Sequence, residues 1–338
     1  MENLLCEEVW LSSPGTPDIS HEREHCTLKG YADSFYTTKE DSEQALALCL
    51  EKEFSYMPEP GYIDCLQSNN LVFLRFRVVQ WLIKTCTRLN LSIGTVFNAA
   101  NYLDRFLSLS QCHGWKHWMV ELLSIACLSI ASKFNETCLP SLDELQMENL
   151  EHSFRSSTIQ QMELMLLQAL KWRISSTTTY SYIELITSNI FYLKCHLQKE
   201  LINQVNKTLL KAILDFKFLH YPPSVVAISA LCCSLEELNI PSSYNVHLTN
   251  IMNLINQNHE DDISKCRRIM KPWLVDPFYS FKVSENSHYN PSSPVTVLLM
   301  ERIDINDCQV DLSLFRMPSS NVNIPESSGT KRKRSEEE

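Results

Sequence analysis

Leu4, Cys6 and Glu8 stand at alternate positions in the segment Leu4-Leu5-Cys6-Glu7-Glu8. An extended peptide sends alternate side chains to one side, so Leu4 and Cys6 can enter apolar pockets together while Glu8 meets a basic or amide donor beyond them. That is docking chemistry, not bond-making. Cys112, His113 and His117 are of metal-ligating type, but paired Cys-x-x-Cys ligands are absent and Gly114-Trp115 marks a loop-to-helix entry, so no metal site is read there. No nucleophile–base order and no glycine-rich phosphate loop rises above background, and the chain contains only 6 glycines. A non-catalytic protein without a cofactor is expected.

The elements that would position such residues are helical. With 338 residues and 44% apolar content the chain can bury two cores, so two compact units with flexible ends are expected. Leu71, Leu74, Val78, Trp81 and Leu82 recur at three- and four-residue steps, which predicts a first packed helix over 71–90. A second helix runs from about Thr95 to Phe106. A third, from about Trp115 to Phe134, is apolar on most faces and should be central. Ser141-Leu-Asp-Glu144 and Ser157-Thr-Ile-Gln160 carry the capping-box pattern and mark two more helix starts.

The Ser/Thr cluster from Ser175 to Thr179 interrupts this pattern and is taken as the boundary between lobes. Beyond it come a stripe through Tyr182, Ile183, Ile186 and Ile190, a helix near 201–219, a buried helix after Tyr221-Pro222-Pro223, and two more before Trp273. Proline at a helix start costs little, because that amide is unpaired anyway. The small-residue apolar runs 120–132 and 224–235 each take the third place in a set of about five helices, which suggests a diverged internal repeat. The resulting layout is an acidic arm over 1–60 with a short helix near 44–54, a first lobe over 61–174, a second over 175–281, and a tail over 282–338 whose apolar patch is 295–300.

Charge and cysteine usage narrow the partners. A net charge of -10 argues against a chain that wraps nucleic acid. The 13 cysteines have no framework spacing and read as reduced core residues. No secretion signal or membrane-spanning run is read. Lys331, Arg332, Lys333 and Arg334 form a basic tetrad suited to nuclear import.

Several blocks in order, Asn101-Tyr-Leu-Asp-Arg-Phe-Leu-Ser108, Trp118-Met119, 122–133, and Met162-Glu163-Leu164 through Trp172-Arg173, resemble the first cyclin box. Tyr221-Pro-Pro-Ser224 and the helix after it resemble the second cyclin fold, and the D type of plants fits best. The resemblance implies two tandem five-helix lobes and a regulatory subunit that binds and activates a cyclin-dependent kinase. It matches Lys133 and Glu163 to the cyclin pair that grips backbone groups of the kinase. On physical grounds alone, Lys133 would snorkel from a helix end and Glu163 would lie exposed in a first turn.

The same resemblance identifies Leu4, Cys6 and Glu8 with the Leu-x-Cys-x-Glu motif that docks into retinoblastoma-related proteins. The implied role is cell-cycle entry at G1/S, in the nucleus and also the cytoplasm, with kinase-inhibitor proteins as further partners. Leu74, Val78 and Trp81 fall where many cyclins present a substrate-docking patch, although such a stripe is more often core. Asn135 replaces an acid common in the family and leaves Glu136 alone there. The alternative is a cyclin-fold transcription factor that binds nucleic acid, which would need a basic face across both lobes.

Overall fold

The computed structural model describes residues 39–110, 114–146, 150–187, 195–240, 246–275, 303–305 and 312–315. The first lobe is built from α3 (Val72–Arg88), α4 (Ile93–Leu109), α5 (His117–Asn135), α6 (Leu142–Gln146) and α7 (Ser156–Ala169). The second holds α8 (Thr179–Thr187), α9 (Cys195–Leu214), α10 (Pro223–Glu237) and α11 (Val246–Val275). Backbone angles at His259 (φ -137°, ψ 23°) break α11 into two helical runs, so among the described residues each lobe has five. Among the described residues the fold is helical apart from one short strand pair, as the spacing of apolar residues predicts.

Local chemistry sets the helix ends. Ser92 caps α4 by accepting from the Thr95 amide at 3.3 Å. Ser141 and Glu144 form the expected reciprocal pair, at 2.7 Å from the Ser141 amide and 3.2 Å from the Glu144 amide. The helix expected at Ser157 starts at Ser156 instead. Asn70, Asn90 and Asn239 each stand just past a helix end with φ between +51° and +55°, a left-handed conformation asparagine tolerates better than most residues.

Each lobe has its own core. Around α5, whose residues from Met119 to Ser132 are all buried, pack Leu82, Leu103, Phe106, Ile159, Met162 and Leu166. Around α10 pack Tyr182, Ile186, Leu201, Val205, Leu209 and Met270. The two apolar runs read as a repeat are thus the central helices of the two lobes.

Two features depart from the expected layout. The short helix expected near 44–54 begins earlier, as α1 (Lys39–Lys52), and is packed on the fold rather than carried in a free arm; it leads into a 3-10 turn at Glu53–Tyr56, and α2 (Tyr62–Ser68) follows within the range of the first lobe. The physical reason is a tertiary anchor: Leu46 joins the second-lobe core, and buried Glu53 accepts from Tyr182 Oη at 3.0 Å, the Ser224 amide at 3.1 Å and Ser224 Oγ at 3.1 Å. A carboxylate at the amino end of α10 is favoured by the helix dipole. In the region read as a tail, β2 (Ile303–Ile305) pairs in parallel with β1 (His152–Phe154), and a 3-10 turn at Leu312–Phe315 places Phe315 in the first-lobe core. The apolar patch at 295–300 lies outside the described residues.

Candidate functional site

Lys133 is the first residue of α5 to leave the core, after the buried run that ends at Ser132. Glu163 sits between Met162 and the exposed Leu164 on α7, with Met162 and Leu166 anchoring that helix in the same core. The packing of α5 on α7 brings the two charges together: Lys133 Nζ donates to Glu163 Oε1 at 2.8 Å and to Oε2 at 2.7 Å. The lysine side chain is 48% exposed and the glutamate 10%, so one partner faces solvent while the other is held against protein. Glu163 lies in the third turn of α7 and is buried, contrary to the exposed first-turn position its sequence context suggested.

Apolar surface flanks this pair. Phe134 and Leu164, the sequence neighbours of the two charges, are 58% and 49% exposed, and Leu139 just beyond α5 is 58% exposed. A half-open ion pair with exposed apolar neighbours has the composition of a protein-binding surface, where apolar area supplies affinity and charged groups fix register. Sequence reasoning did not single out Phe134, Leu139 or Leu164. For Phe134 and Leu164 the signal was a large apolar residue directly following each charge; Leu139, between Cys138 and Pro140, carried none. Glu136, the remaining acid after Asn135, accepts from the Ser92 amide at 2.8 Å and from Thr95 Oγ1, so it fastens the start of α4.

The stripe Leu74, Val78 and Trp81 is core, at 5%, 3% and 3% exposed. In this structure it offers no open docking patch, because α3 turns that face into the first lobe. Its neighbour Arg77 pairs with Glu151 at 2.9 Å. Asp104 and Arg105 make structural bonds, as their position in the second helix suggested. Arg75 is bidentate on Asp104, Nε to Oδ1 at 2.7 Å and Nη2 to Oδ2 at 2.8 Å, with Tyr62 Oη donating at 2.8 Å. Arg75 Nη1 also reaches the Ile213 carbonyl at 3.1 Å and so ties the first lobe to the second. Arg105 donates to the Arg173 carbonyl at 2.9 Å and lies 5.2 Å from the Tyr56 ring centre.

Glu121, Glu151 and His152 bring three potential metal ligands within 4.8 Å of one another. Both carboxylates and His152 Nδ1 already have partners within the protein. Glu121 accepts from the Glu151 and His152 amides at 3.2 and 3.1 Å and contacts His152 Nδ1 at 2.8 Å, while Glu151 pairs with Arg77. The group latches the loop before α7. His117 is 3.8 Å from Glu151. Cys112 and His113 lie outside the described residues, as do Leu4, Cys6 and Glu8 and the basic tetrad Lys331 to Arg334. Among the described residues no helix is long and apolar enough to cross a membrane.

Two families match the chain in order: "Cyclin, N-terminal domain" over residues 44–175 and "Cyclin, C-terminal domain" over 177–291. The chain is 37% identical over 214 residues to putative cyclin-D7-1 of Oryza sativa subsp. japonica, covering 63% of this chain and 61% of the relative. Cyclin-D2-1 of the same organism is 32% identical over 235 residues, covering 69% and 71%. Cyclin-D3-3 of Arabidopsis thaliana is 30% identical over 236 residues, covering 70% and 63%. The match thus spans less than two thirds of the length of putative cyclin-D7-1 and, at 62%, of cyclin-D1-2 of Oryza sativa subsp. japonica.

Among solved structures, a viral cyclin from herpesvirus saimiri shares the fold with a TM-score of 0.50 at 16% identity, covering 66% of this chain and 99% of the other. A chain of the yeast RNA Pol II CTD kinase CTDK-1 complex does so with a TM-score of 0.50 at 14% identity, covering 79% and 92%. Two helical lobes of five helices each, both cyclin domains in order, and relatives of the plant D type lead to one assignment: the chain belongs to the cyclin family, in its plant D-type branch.

Proposed function

We propose that this cyclin is a regulatory subunit that binds and activates a cyclin-dependent kinase through Lys133 and Glu163. The observation that carries the reading is the convergence of these two residues, 30 positions apart, into one bidentate pair beside exposed apolar side chains. The lysine can donate to backbone carbonyls of a partner and the carboxylate can accept from its amides, which holds a loop and a helix in place whatever their side chains. Such positioning matters to a kinase, whose C-helix glutamate must meet the phosphate-binding lysine before phosphoryl transfer. The cyclin supplies no catalytic group. The fold neighbour in the CTDK-1 kinase complex supports the same kind of assembly.

The reading extends to substrate choice. Leu4, Cys6 and Glu8 recruit a retinoblastoma-related protein, raising its effective concentration at the kinase and promoting G1/S entry. Lys331 to Arg334 direct the chain to the nucleus. The test is a pull-down followed by a kinase assay on the intact chain, on Lys133→Ala with Glu163→Ala, and on Cys6→Ala with Glu8→Ala. The first pair should lose the kinase, and the second should keep it while losing the retinoblastoma-related protein. A folded Lys133→Ala, Glu163→Ala chain that still recovers and activates the kinase would remove the central claim.

A further inference from the structure

Beyond the two matched cyclin domains, the chain comes back to the first lobe. β2 pairs in parallel with β1, placing His152 opposite Ile303, Ser153 opposite Asp304 and Phe154 opposite Ile305. The turn at Leu312–Phe315 then buries Phe315 to 2% exposure. Its ring meets three others edge-on: Phe106 at 6.5 Å, Trp115 at 5.2 Å and Trp118 at 6.0 Å, with interplanar angles of 64°, 86° and 77°. Edge-to-face contacts at such distances are favoured by the ring quadrupoles.

The receiving site is built entirely by the first lobe. Phe106 belongs to α4, Trp118 to the first turn of α5, and Trp115 precedes that helix, where its indole N–H donates to Ser110 Oγ at 3.0 Å. β1 is held as a ready template. The Glu121 carboxylate accepts from the amides at its start, and Gln146 brackets Phe154, accepting from its amide at 2.9 Å and donating to its carbonyl at 3.1 Å. A fixed strand edge beside an aromatic socket is how proteins capture an extended peptide with one large apolar anchor.

We propose that this edge and socket form a peptide-docking site and that Ile303–Ile305 and Leu312–Phe315 are its ligand in cis, a strap that occupies the site until it is displaced. Among the described residues the strap's ladder runs over three residues and its buried anchor is Phe315, with Leu314 beside it 51% exposed, a hold small enough to separate from the fold. Attachment to the same chain supplies an effective concentration of about millimolar order, which keeps a weakly binding segment docked. The site takes a short strand followed by a helical turn that ends in phenylalanine. Trp118 and Lys133 are about 22 Å apart along α5 at about 1.5 Å per residue, so the strap leaves the Lys133–Glu163 pair open and the proposal does not depend on kinase binding.

The experiment compares the full chain with its Phe315→Ala variant for binding of a labelled peptide spanning residues 301–317, read by fluorescence anisotropy. The variant should bind the peptide saturably and at least about tenfold more tightly than the unmodified chain, and a peptide carrying the same alanine should not bind. Equal binding by the two chains, or no binding to a folded variant, overturns the proposal. Hydrogen exchange on the unmodified chain tests the strap without requiring the variant to fold. A docked strap exposes the β2 amides at least about a hundredfold more often than the α5 amides, whereas exchange of both only through global unfolding makes Phe315 an integral core residue and overturns the proposal.

Discussion

Exchanging the two charges, Lys133→Glu together with Glu163→Lys, separates a structural role for the pair from a binding role. The exchange keeps an ion pair and reverses what it presents. Because the lysine side chain is 48% exposed, the pair contributes only about 0.5–1 kcal/mol to folding, and the swapped pair recovers much of that. The main cost is an acid in place of a base in the last turn of α5, about 0.3–1 kcal/mol against the helix dipole. A loss near 1 kcal/mol lowers the melting temperature by about 2–4 °C in a domain of this size. Binding behaves differently. Two charge-assisted anchors, each contributing about 2–4 kcal/mol when buried under a partner, would face groups of their own sign, so affinity should fall by at least about a thousandfold. Thermal melting and calorimetric titration against a cyclin-dependent kinase read the two effects separately. Affinity retained within about threefold in the swapped chain would refute the assignment of these residues to the kinase interface.

The remaining predictions concern the scaffold. Asp104→Ala strands the Arg75 guanidinium, whose side chain is 1% exposed, and should cost about 3–5 kcal/mol in a urea titration; a loss under about 1 kcal/mol would mean another group compensates. Glu53→Ala removes the acceptor shared by Tyr182 and Ser224 and should cost about 1–3 kcal/mol, seen first as faster hydrogen exchange in residues 39–56 while α5 stays protected. Burial pushes the thiols of Cys86 and Cys266 up to about 12 and that of Cys232 up to about 11, whereas Cys138 is exposed. Alkylation of the folded chain near about pH 8 should therefore label Cys138 within minutes and spare the buried three until denaturant is added. Labelling of Cys86 at the same rate as Cys138 would contradict its place in the first-lobe core.

The helices were legible because their apolar residues repeat with the helix period over many turns. Val120 to Ser132 announces a central helix by being apolar on nearly every face, and α5 is buried along that whole stretch. Three- and four-residue spacing does not say which way a stripe faces, so Leu74, Val78 and Trp81 fit a docking surface and a core equally well until the packing of α3 turns them inward. The burial of Glu163 depends on how α5 meets α7, a relation between segments about thirty residues apart that no local pattern carries. The same holds for Leu46 and Glu53, whose partners in α8 and α10 are more than a hundred positions away. Ile303–Ile305 is too short to display any period, and Phe315 is one aromatic residue in a short mixed stretch, Val310 to Met317, whose pattern names no partner. Only the assembled Phe106–Trp115–Trp118 socket gives it meaning.

The salt link between Lys133 and Glu163 also shapes how fast a partner can arrive. A lone lysine at that rim would project a monopole felt across a Debye length of about 8 Å at physiological ionic strength, but a lysine already joined to a carboxylate projects only a short-range dipole. Long-range electrostatic attraction at this spot is thereby muted. The pair itself should therefore add little to the salt dependence of encounter, which is left to the chain's net charge of -10. In the proposed complex the charges would exert their pull only once the surfaces touch, so the pair would govern how long the complex lives rather than how quickly it forms.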